Sequence, residues 1–387
     1  MSNLMETYKR LPVAFVRGEG AYLEDTDGKQ YLDALSGIAV CGLGHAHPRV
    51  TRAIADQAGT LTHTSNLYEL PLQTSLAEKL CRMSGMDKVF FGNSGAEANE
   101  AAIKIARLHG HNQRIERPTV VAMEGSFHGR TMATLTATGN RKVQAGFEPL
   151  LTGFVRAPFG DAEAVALIAR NNPDVTAVLV EPVQGEGGII IPDADYLVRL
   201  RQICDDNNWL LMLDEVQTGN GRTGAFFAYQ NAGILPDVVT TAKGLGNGVP
   251  IGACLARGHA ADILQPGNHG STFGGNPLVC AAAHAVLDAL EEDNLMARAG
   301  ELGERIIAGL GEALSGNNTV QDIRGAGLMI AVELAAPCAE LVGKALEEGL
   351  LINVTRDNVV RLLPPLTLSD AEADELVARL ARVINNA

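Results

Sequence analysis

An apolar run meets a glycine-rich segment at a single lysine in the stretch Thr240-Thr241-Ala242-Lys243-Gly244-Leu245-Gly246-Asn247-Gly248. The preceding residues, Asp237-Val238-Val239, extend the apolar run, which predicts a buried strand. A lysine at the end of such a strand is poorly solvated, so it pairs with an acid, lowers its pKa or forms a covalent bond such as a Schiff base. Because a lysine in a glycine-rich turn is most often simply solvated, this stretch alone leaves both interpretations open.

A second predicted strand, Leu210 to Leu213, ends directly before Asp214 and Glu215. Ligands of open α/β sheets bind beyond the carboxyl ends of the strands, so Asp214 and Lys243 are expected at one site. Pyridoxal phosphate requires this pair, because a lysine forms a Schiff base with it and an acid pairs with its pyridinium nitrogen. The two stretches together therefore predict a pyridoxal-phosphate site.

Composition restricts the partners and the compartment. The chain has 387 residues and a formal net charge of −14, which argues against nucleic acid or an anionic membrane surface as the main partner. Its six cysteines show no CxxC spacing and are interpreted as reduced thiols of a cytoplasmic protein. No signal peptide or membrane span is expected, and His45 and His47 lack the third ligand that a metal site needs.

The order of predicted elements indicates an α/β fold with a mainly parallel sheet in a large domain and a smaller α+β domain. The predicted units are an N-terminal segment, 1–45, which packs with the small domain, a large cofactor-binding domain, 46–285, and a C-terminal small domain, 286–387. Between residues 21 and 33, Asp27-Gly28 predicts a hairpin turn. Strands are predicted at 88–91, 119–123, 177–180, 210–213, 238–241, 251–255, 329–334, 350–354 and 359–363. Helices are predicted at 94–108, 195–207, 279–291 and 336–348, and a last one follows the capping-box sequence that starts at Ser369.

Three more loops follow predicted strands and carry groups that suit a charged, planar ligand. The turn around Ser94 precedes a helix whose N-terminal N–H groups could bind a phosphate, although Ser94 and Glu97 also fit an ordinary capping box. Phe127 could stack on a planar ring and Arg130 could bind a carboxylate, or they could be a core residue and a surface residue. The acidic residues of the segment 181–188 could neutralise an arginine when no substrate is bound.

Six motifs occur in order along the chain: Asn93-Ser94-Gly95-Ala96-Glu97-Ala98, Phe127-His128-Gly129-Arg130-Thr131, Glu186-Gly187-Gly188, Leu213-Asp214-Glu215-Val216-Gln217-Thr218-Gly219, Ala242-Lys243-Gly244 and Ser271-Thr272-Phe273-Gly274-Gly275-Asn276-Pro277. With them the sequence resembles the class III pyridoxal-phosphate aminotransferases of fold type I over essentially its whole length. Within that family it is most similar to the acetylornithine aminotransferases of arginine metabolism.

The resemblance implies the roles of the cofactor site. Lys243 would form the Schiff base and then act as the base that moves a proton, and Asp214 would keep the pyridine nitrogen protonated. The remaining cofactor contacts that the resemblance implies are Ser94, Gly95 and Ala96 at the phosphate, Phe127 and Val216 on the two ring faces, Glu215 beside Asp214, Gln217 at the phenolic oxygen and Thr272. The family's threonine reaches the phosphate of the neighbouring subunit, so the resemblance implies a homodimer with a shared active site.

The resemblance also implies the substrate contacts. Arg130 would bind the α-carboxylate of the amino donor, with Ser271 nearby. Arg361 would bind the carboxylate of 2-oxoglutarate or glutamate beside the reacting centre. Glu186 would neutralise Arg361 when the other substrate, which lacks that carboxylate, is bound.

The residue at position 38 bears on which amino donor the protein uses. Ornithine aminotransferases carry a tyrosine in an early loop that recognises the free α-amine, whereas the matching stretch here, Ala34 to Val40, has Ile38. An apolar residue suits an acylated amine, which favours N2-acetylornithine as donor and N-acetylglutamate 5-semialdehyde as product. Succinylornithine, ornithine, N-succinyl-diaminopimelate and 4-aminobutyrate remain alternative donors, and an aminomutase is a further reaction that this fold supports.

Overall fold

The computed structural model describes residues 3–386. Met1, Ser2 and Ala387, which belong to the predicted N-terminal segment and C-terminal domain, lie outside the described residues. The strands, in chain order, are β1 (Phe15–Glu19), β2 (Tyr22–Asp25), β3 (Gln30–Asp33), β4 (Lys88–Gly92), β5 (Thr119–Met123), β6 (Phe154–Ala157), β7 (Val175–Val180), β8 (Leu210–Asp214), β9 (Val238–Thr241), β10 (Gly252–Ala256), β11 (Val320–Ala326), β12 (Met329–Leu334), β13 (Leu350–Leu351), β14 (Asn353–Thr355) and β15 (Val359–Leu362).

The helices alternate with these strands through most of the chain. They are α1 (Ser36–Ala39), α2 (Pro48–Ala58), α3 (Pro71–Ser84), α4 (Gly95–Asn112), α5 (Met132–Ala137), α6 (Arg141–Gln144), α7 (Ala162–Asn171), α8 (Tyr196–Asn207), α9 (Pro277–Glu292), α10 (Leu295–Ala313), α11 (Leu341–Glu347) and α12 (Asp370–Asn385). The element α1 is a single left-handed turn, since all four of its residues have φ between 51° and 66°. Among the helices of residues 3–386, none combines the length and apolar character that crossing a membrane requires.

A seven-stranded sheet in the order β4-β10-β9-β8-β7-β5-β6 forms the centre of the molecule. Its pairs from β9 to β6 are parallel, and β10 runs antiparallel to both of its neighbours. Every residue of β5, β7, β8, β9 and β10 is buried, as expected for strands covered by helices on both faces. The predicted α/β fold with a mainly parallel sheet is therefore confirmed.

Two smaller sheets contain the ends of the chain. The order β1-β2-β3-β13 joins the predicted hairpin to a strand near residue 350, and β11-β12-β15-β14 is an antiparallel sheet in the C-terminal part. Backbone hydrogen bonds from Leu363 N to Ala34 O (2.7 Å) and from Leu366 N to Gly42 O (2.7 Å) tie the two ends together. The division into units at 45 and 285 stays a prediction, and α9 runs across the second boundary.

Several predicted elements match the structure closely, and two do not. The strands at 119–123, 238–241 and 329–334 have the predicted ends, and the capping box at Ser369 is formed. The helix predicted at 336–348 is shorter, because Pro337 lies in a non-helical segment and α11 begins only at Leu341. The strand predicted at 350–354 is two strands, since β13 pairs with β3 and β14 pairs with β15 in another sheet.

The packing of α10 against the hairpin between β11 and β12 yields the first testable prediction. A Cβ on Gly303 would lie 2.2 Å from the carbonyl oxygen of Gly327, which forms the hairpin turn with a φ of +54°. We expect Gly303→Ala to lower the free energy of unfolding by about 1–3 kcal/mol, because backbone must move to admit the methyl group.

The matched control lies one turn earlier in the same helix. A Cβ on Gly300 meets no atom within 4 Å, so Gly300→Ala should stabilise the protein by up to about 1 kcal/mol through helix propensity. Urea denaturation of both variants measures the two shifts. Equal shifts of the same sign would contradict the close contact at Gly303.

Candidate active site

A cavity of about 400 Å³ opens where β5, β7, β8 and β9 end and α4 begins. Ten of the predicted site residues line it: Ser94, Gly95, Ala96, Phe127, Arg130, Glu186, Asp214, Val216, Gln217 and Lys243. Four others, Glu215, Ser271, Thr272 and Arg361, do not line it. Parallel strands place their carboxyl ends at one edge of a sheet, which is why loops distant in sequence meet here.

Lys243 lies directly after β9 and reaches the cavity from a strained backbone position. Its φ is +45°, in the left-handed region that residues other than glycine seldom adopt. Burial lowers the pKa of Lys243 to about 8, and the positive charge of Arg361 contributes to the same shift. Part of the side chain remains accessible from the cavity, so the amine can be neutral near physiological pH and still reach a ligand.

Asp214 ends β8 and is held by a buried hydrogen-bond network. Its Oδ2 accepts a bond from Asn99 Nδ2 (2.7 Å) and lies 2.8 Å from His128 Nδ1, and its Oδ1 accepts the Val216 N–H at 3.0 Å. Thr240 Oγ1 donates to Asn99 Oδ1 (2.7 Å) and so fixes the orientation of that amide. The carboxylate is thereby oriented from several sides inside the protein.

Sequence reasoning assigned no role to Asn99 or His128. His128 stood within a quoted motif, and Asn99 is a buried polar residue on the face of α4 that packs against the sheet. A polar residue among the alanines and isoleucines of a predicted buried helix face is the signal that indicates a buried partner. The identity of that partner, Asp214, depends on the contact between α4 and the end of β8.

The first turn of α4 gives the cavity an anion-binding end. Ser94 is the N-cap, and its Oγ accepts the Glu97 N–H at 3.2 Å. The predicted capping box is only half formed, because the Glu97 carboxylate bonds to the N–H and the side-chain amide of Asn93 instead of returning to Ser94. The N–H groups of the first helical turn have no partners within the helix, so they can bind an anion.

Gly95 lets the start of α4 approach Val216 closely, in the loop after β8. A Cβ on Gly95 would lie 2.7 Å from Val216 Cγ1. Phe127 reaches the same cavity from the loop after β5, and the Arg130 guanidinium lies 5.6 Å from the centre of its ring. An aromatic ring, a valine and a cradle of small residues fit a planar ligand that bears a phosphate.

Glu181 is a buried carboxyl group at the wall of the cavity. Its two oxygens accept the N–H groups of Phe127 (3.1 Å) and Gly185 (3.3 Å), which links the Phe127 loop to the loop that carries Glu186. Burial raises the pKa of Glu181 to about 8, and the nearby Asp214 carboxylate adds to the shift. This group therefore titrates near neutral pH in the folded protein.

Arg361 lies on β15 and is fully buried behind the cavity. Its Nη1 donates to Glu186 Oε1 at 2.6 Å and approaches Gln217 Oε1 at 3.4 Å, and its Nε donates to Asn353 Oδ1 at 3.1 Å. The Nη2 group has no hydrogen-bond partner among the described residues. A carboxylate ligand could therefore bind this guanidinium if Glu186 moved aside.

Glu215 does not contribute its side chain to the cavity, and its contact with the cofactor stays a prediction. Its carboxylate accepts the N–H groups of Ala228 (3.0 Å) and Tyr229 (2.9 Å) and a bond from the Thr218 hydroxyl. Successive residues after a strand point to opposite sides, so Asp214 faces the ligand and Glu215 faces the loop 218–229.

Ser271 and Thr272 lie in a second pocket next to β4 and α4. The Ser271 hydroxyl accepts bonds from Asn93 Nδ2 (3.1 Å) and the Gly274 N–H (3.0 Å), and Thr272 is exposed. Within one chain these two residues are therefore separate from the cavity that contains Lys243. Their predicted substrate and cofactor contacts would require a second copy of the chain.

The chain is similar to known aminotransferases over almost its whole length. Residues 4–384 match the family model described as Aminotransferase class-III. The chain is 58% identical over 384 residues to acetylornithine aminotransferase of Nitrosomonas europaea, with 99% of this chain and 98% of that protein covered. It is 52% identical to acetylornithine aminotransferase 1 of Bordetella bronchiseptica, with 99% and 98% covered.

Solved structures show the same similarity. The crystal structure of the ornithine aminotransferase from Toxoplasma gondii superposes with a TM-score of 0.96 at 35% identity, and 99% of this chain and 93% of that chain are covered. Acetylornithine aminotransferase from Elizabethkingia anophelis gives a TM-score of 0.89 at 32% identity, with 100% and 97% covered.

The raised pKa of Glu181 predicts a pH dependence of stability. A carboxyl group whose pKa rises from 4.5 to about 8 on folding stabilises the protein below pH 4.5, and this contribution is lost as the pH rises toward 8. Glu181→Gln cannot ionise, so the variant should lose less stability than the wild type between these pH values.

Urea denaturation of the cofactor-free proteins at several pH values measures the difference. Glu78→Gln, at an exposed position of α3, is the control and should follow the wild-type profile. Parallel profiles for wild type and Glu181→Gln would show that Glu181 is ionised throughout this range.

Proposed function

Because the chain belongs to the class-III aminotransferase family, we propose that it transfers the terminal amino group of N2-acetylornithine to 2-oxoglutarate. The products would be N-acetylglutamate 5-semialdehyde and glutamate. The similarity to acetylornithine aminotransferases, at 58% and 52% identity over almost the whole chain, carries this proposal. Succinylornithine, ornithine, N-succinyl-diaminopimelate and 4-aminobutyrate are less favoured donors, and an aminomutase reaction is less favoured still.

The residues of the cavity fit pyridoxal phosphate, the cofactor of this family. When bound, this cofactor withdraws electrons from the carbon that carries the amine and so stabilises its loss of a proton. The first turn of α4, with Ser94, Gly95 and Ala96, would hold the phosphate, and all three residues line the cavity. Phe127 and Val216 would cover the two ring faces, and Gln217 would reach the phenolic oxygen.

Lys243 and Asp214 would carry out two different parts of the reaction. Lys243 would bind the cofactor covalently, and its Nζ would then take up and return the proton at the reacting carbon. A pKa of about 8 leaves a useful fraction of the amine neutral at physiological pH. Asp214, oriented by Asn99 and His128, would hold the positive charge at the pyridine nitrogen.

Arg361 and Glu186 would let one cavity accept two different substrates. The 2.6 Å contact between them neutralises the guanidinium when the bound substrate presents only a methylene group at that position. When 2-oxoglutarate or glutamate is bound, its carboxylate would replace Glu186 on Arg361. Arg130, which is exposed at the cavity, would bind the distant α-carboxylate of the acylated ornithine.

Ile38 would select the acylated donor. It lies in the left-handed turn α1, with a φ of +66°, and 37% of its surface is exposed. The turn leads into Val40, which lines the cavity. An apolar side chain at this position offers no partner to the charged α-amine of free ornithine, whereas an acyl amide needs none.

A homodimer would complete the site. Thr272 is exposed and separate from the cavity of its own chain, and Phe273, Tyr68 and Leu67 are apolar or aromatic side chains that are 61%, 69% and 87% exposed. A second copy would cover this surface and receive Thr272 at its phosphate site. Sedimentation of the holoenzyme should give about twice the 40.8 kDa chain mass, whereas an active monomer would contradict this assembly.

All six cysteines are free, which supports the cytoplasm as the compartment.

A half-reaction without keto acid tests the donor. Purified holoenzyme is mixed separately with N2-acetylornithine, N2-succinylornithine, ornithine and 4-aminobutyrate, and stopped flow records the loss of the cofactor's visible absorbance. We expect the acylated ornithines to react at least about tenfold faster than the free amines, because a site that lacks a partner for a charged amine rejects it. Ornithine or 4-aminobutyrate as the fastest donor would overturn the assignment, and the acetyl-to-succinyl ratio ranks the two acyl groups.

The same assay tests the pair formed by Glu186 and Arg361. Glu186→Gln leaves the charge of Arg361 unpaired when an acylated ornithine is bound, so we expect that half-reaction to slow by about tenfold or more. The half-reaction with glutamate is the control on the same variant, because the substrate carboxylate pairs with Arg361, and it should stay within about threefold of wild type. An equal loss in both half-reactions would show that Glu186 does not separate the two substrates.

A further inference from the structure

The side chain of Asn66 closes the turn 271–275, which lies between β10 and α9. Its Nδ2 donates to Ser271 O and to Gly274 O, both at 3.0 Å. Asn66 precedes Ser271 by 205 residues in the sequence, so these bonds join two distant segments of the chain. The two carbonyl groups flank the tip of the turn, and one amide group therefore fixes its shape.

Gln73, on α3, holds the amide of Asn66 in this orientation. Its Nε2 donates to Asn66 Oδ1 at 2.8 Å and to Gly275 O at 2.9 Å. Because the oxygen of Asn66 accepts the bond from Gln73, the nitrogen of Asn66 is the atom that faces the two carbonyl groups of the turn. Asn66 and Gln73, called the amide clamp below, thus support the turn as one hydrogen-bonded unit.

The base of the turn packs tightly against the end of β4 and the amide clamp. A Cβ on Gly274 would overlap the carbonyl oxygen of Phe91. A Cβ on Gly275, where φ is +68°, would overlap Gln73 Nε2. Glycine at both positions lets the backbone come close enough for the clamp to reach its carbonyl groups.

The tip of the turn, Thr272 and Phe273, is exposed although its base is held closely. Phe273 is 61% exposed, and its ring centre lies 5.6 Å from that of His63. Among residues 3–386 no group forms a hydrogen bond with the Thr272 hydroxyl. The single chain therefore presents this hydroxyl in a fixed position without using it.

The amide clamp is separate from the cavity of its own chain. Neither Asn66 nor Gln73 lines the cavity that contains Lys243, and neither do the residues they bond to in the turn. Ser271 is nearer to it, because its hydroxyl accepts a bond from Asn93 Nδ2 at 3.1 Å and Asn93 lines the cavity. A change at Asn66 can therefore alter the turn while the cofactor site of the same chain stays intact.

We propose that Asn66 is a positioning residue for the active site of the second copy of the chain: with Gln73 it fixes the turn 271–275 so that Thr272 reaches the phosphate group bound there. This role rests on the proposed homodimer and names the residues that preform its intersubunit contact. A segment that is rigid before association loses less conformational entropy when the contact forms, so the contact is stronger. Replacing Asn66 therefore weakens cofactor binding in the other chain's cavity and leaves binding in its own cavity unchanged.

Mixed dimers test this separation between the two cavities. Two differently tagged full-length chains are co-expressed, the dimer that carries both tags is isolated, and one of its chains carries Lys243→Ala. The visible absorbance of the Schiff base then reports the binding of pyridoxal phosphate at the other chain alone. Asn66→Ala is placed either on the Lys243→Ala chain, in trans to the reporting cavity, or on the reporting chain itself, in cis.

In trans, Asn66→Ala should raise the dissociation constant of pyridoxal phosphate by about fivefold or more, because the turn loses the bonds that orient it. In cis, the same variant should stay within about twofold of the mixed dimer without it, which also shows that the altered chain folds and associates. Gln73→Leu should repeat this pattern. Equal effects in trans and in cis, or no effect in trans, would overturn the proposal.

Asn171→Ala is the matched control for the loss of an amide. Asn171 is exposed at the end of α7, and its Nδ2 donates to Leu167 O at 2.8 Å, remote from the turn in the sequence. This variant should change the dissociation constant neither in trans nor in cis. A trans effect as large as that of Asn66→Ala would show that removing any surface amide weakens the dimer, and would overturn the specific role of Asn66.

Thr272→Ala in trans distinguishes the role of Asn66 from the proposed function on which it rests. If Thr272→Ala weakens cofactor binding in trans and Asn66→Ala does not, the dimer contact stands and the role of Asn66 fails. If neither variant weakens binding, the shared active site fails as well. Weaker binding with Asn66→Ala but not with Thr272→Ala would also overturn the proposal, because the clamp would then act by another route.

Discussion

The charge of Lys243 depends on four charged groups in poorly solvated surroundings: Glu181, Glu186 and Asp214 line the same cavity, and Arg361 lies buried behind it. Arg361 is fully buried and contributes to the lowered pKa of Lys243, while Glu181, Glu186 and Asp214 act in the opposite direction. If the acids were closer or the arginine absent, the lysine would hold its proton more tightly. Burial therefore lowers the pKa of Lys243 most, and Arg361, from a distant part of the chain, adds to the shift.

The three carboxyl groups are distinguished by their partners. Asp214 is oriented by an amide, an imidazole and a backbone N–H. Burial and the neighbouring Asp214 carboxylate raise the pKa of Glu181, and its two backbone donors offset only part of that shift. Glu186 pairs with the buried Arg361 at 2.6 Å. The three carboxyl groups of the cavity thus differ in their hydrogen bonds and ion pairs because their surroundings differ.

Both ends of the chain contribute to this arrangement. Strand β13 pairs with β3, and the next residues turn away to form β14, which holds Asn353 against Arg361. The N-terminal segment continues from β3 into the left-handed turn α1 and then to Val40 and Cys41. Arg361, Asn353 and Val40 therefore lie on segments outside the central sheet.

The sequence by itself determined the parts of this protein that are local in the chain. Continuous apolar runs predicted β5, β8 and β9, and the residues just after β8 and β9 supplied the acid and the lysine, because strand ends define the ligand edge of a parallel sheet. Motif resemblance added the anion-binding turn at Ser94 and the arginine on β15. Only the tertiary structure decided which side chains face that edge. It turned Glu215 away from the cavity, joined Asn99 and His128 to Asp214 and split the strand at Ile352 between two sheets. These outcomes depend on contacts between segments far apart in sequence, and local patterns carry no information about such contacts.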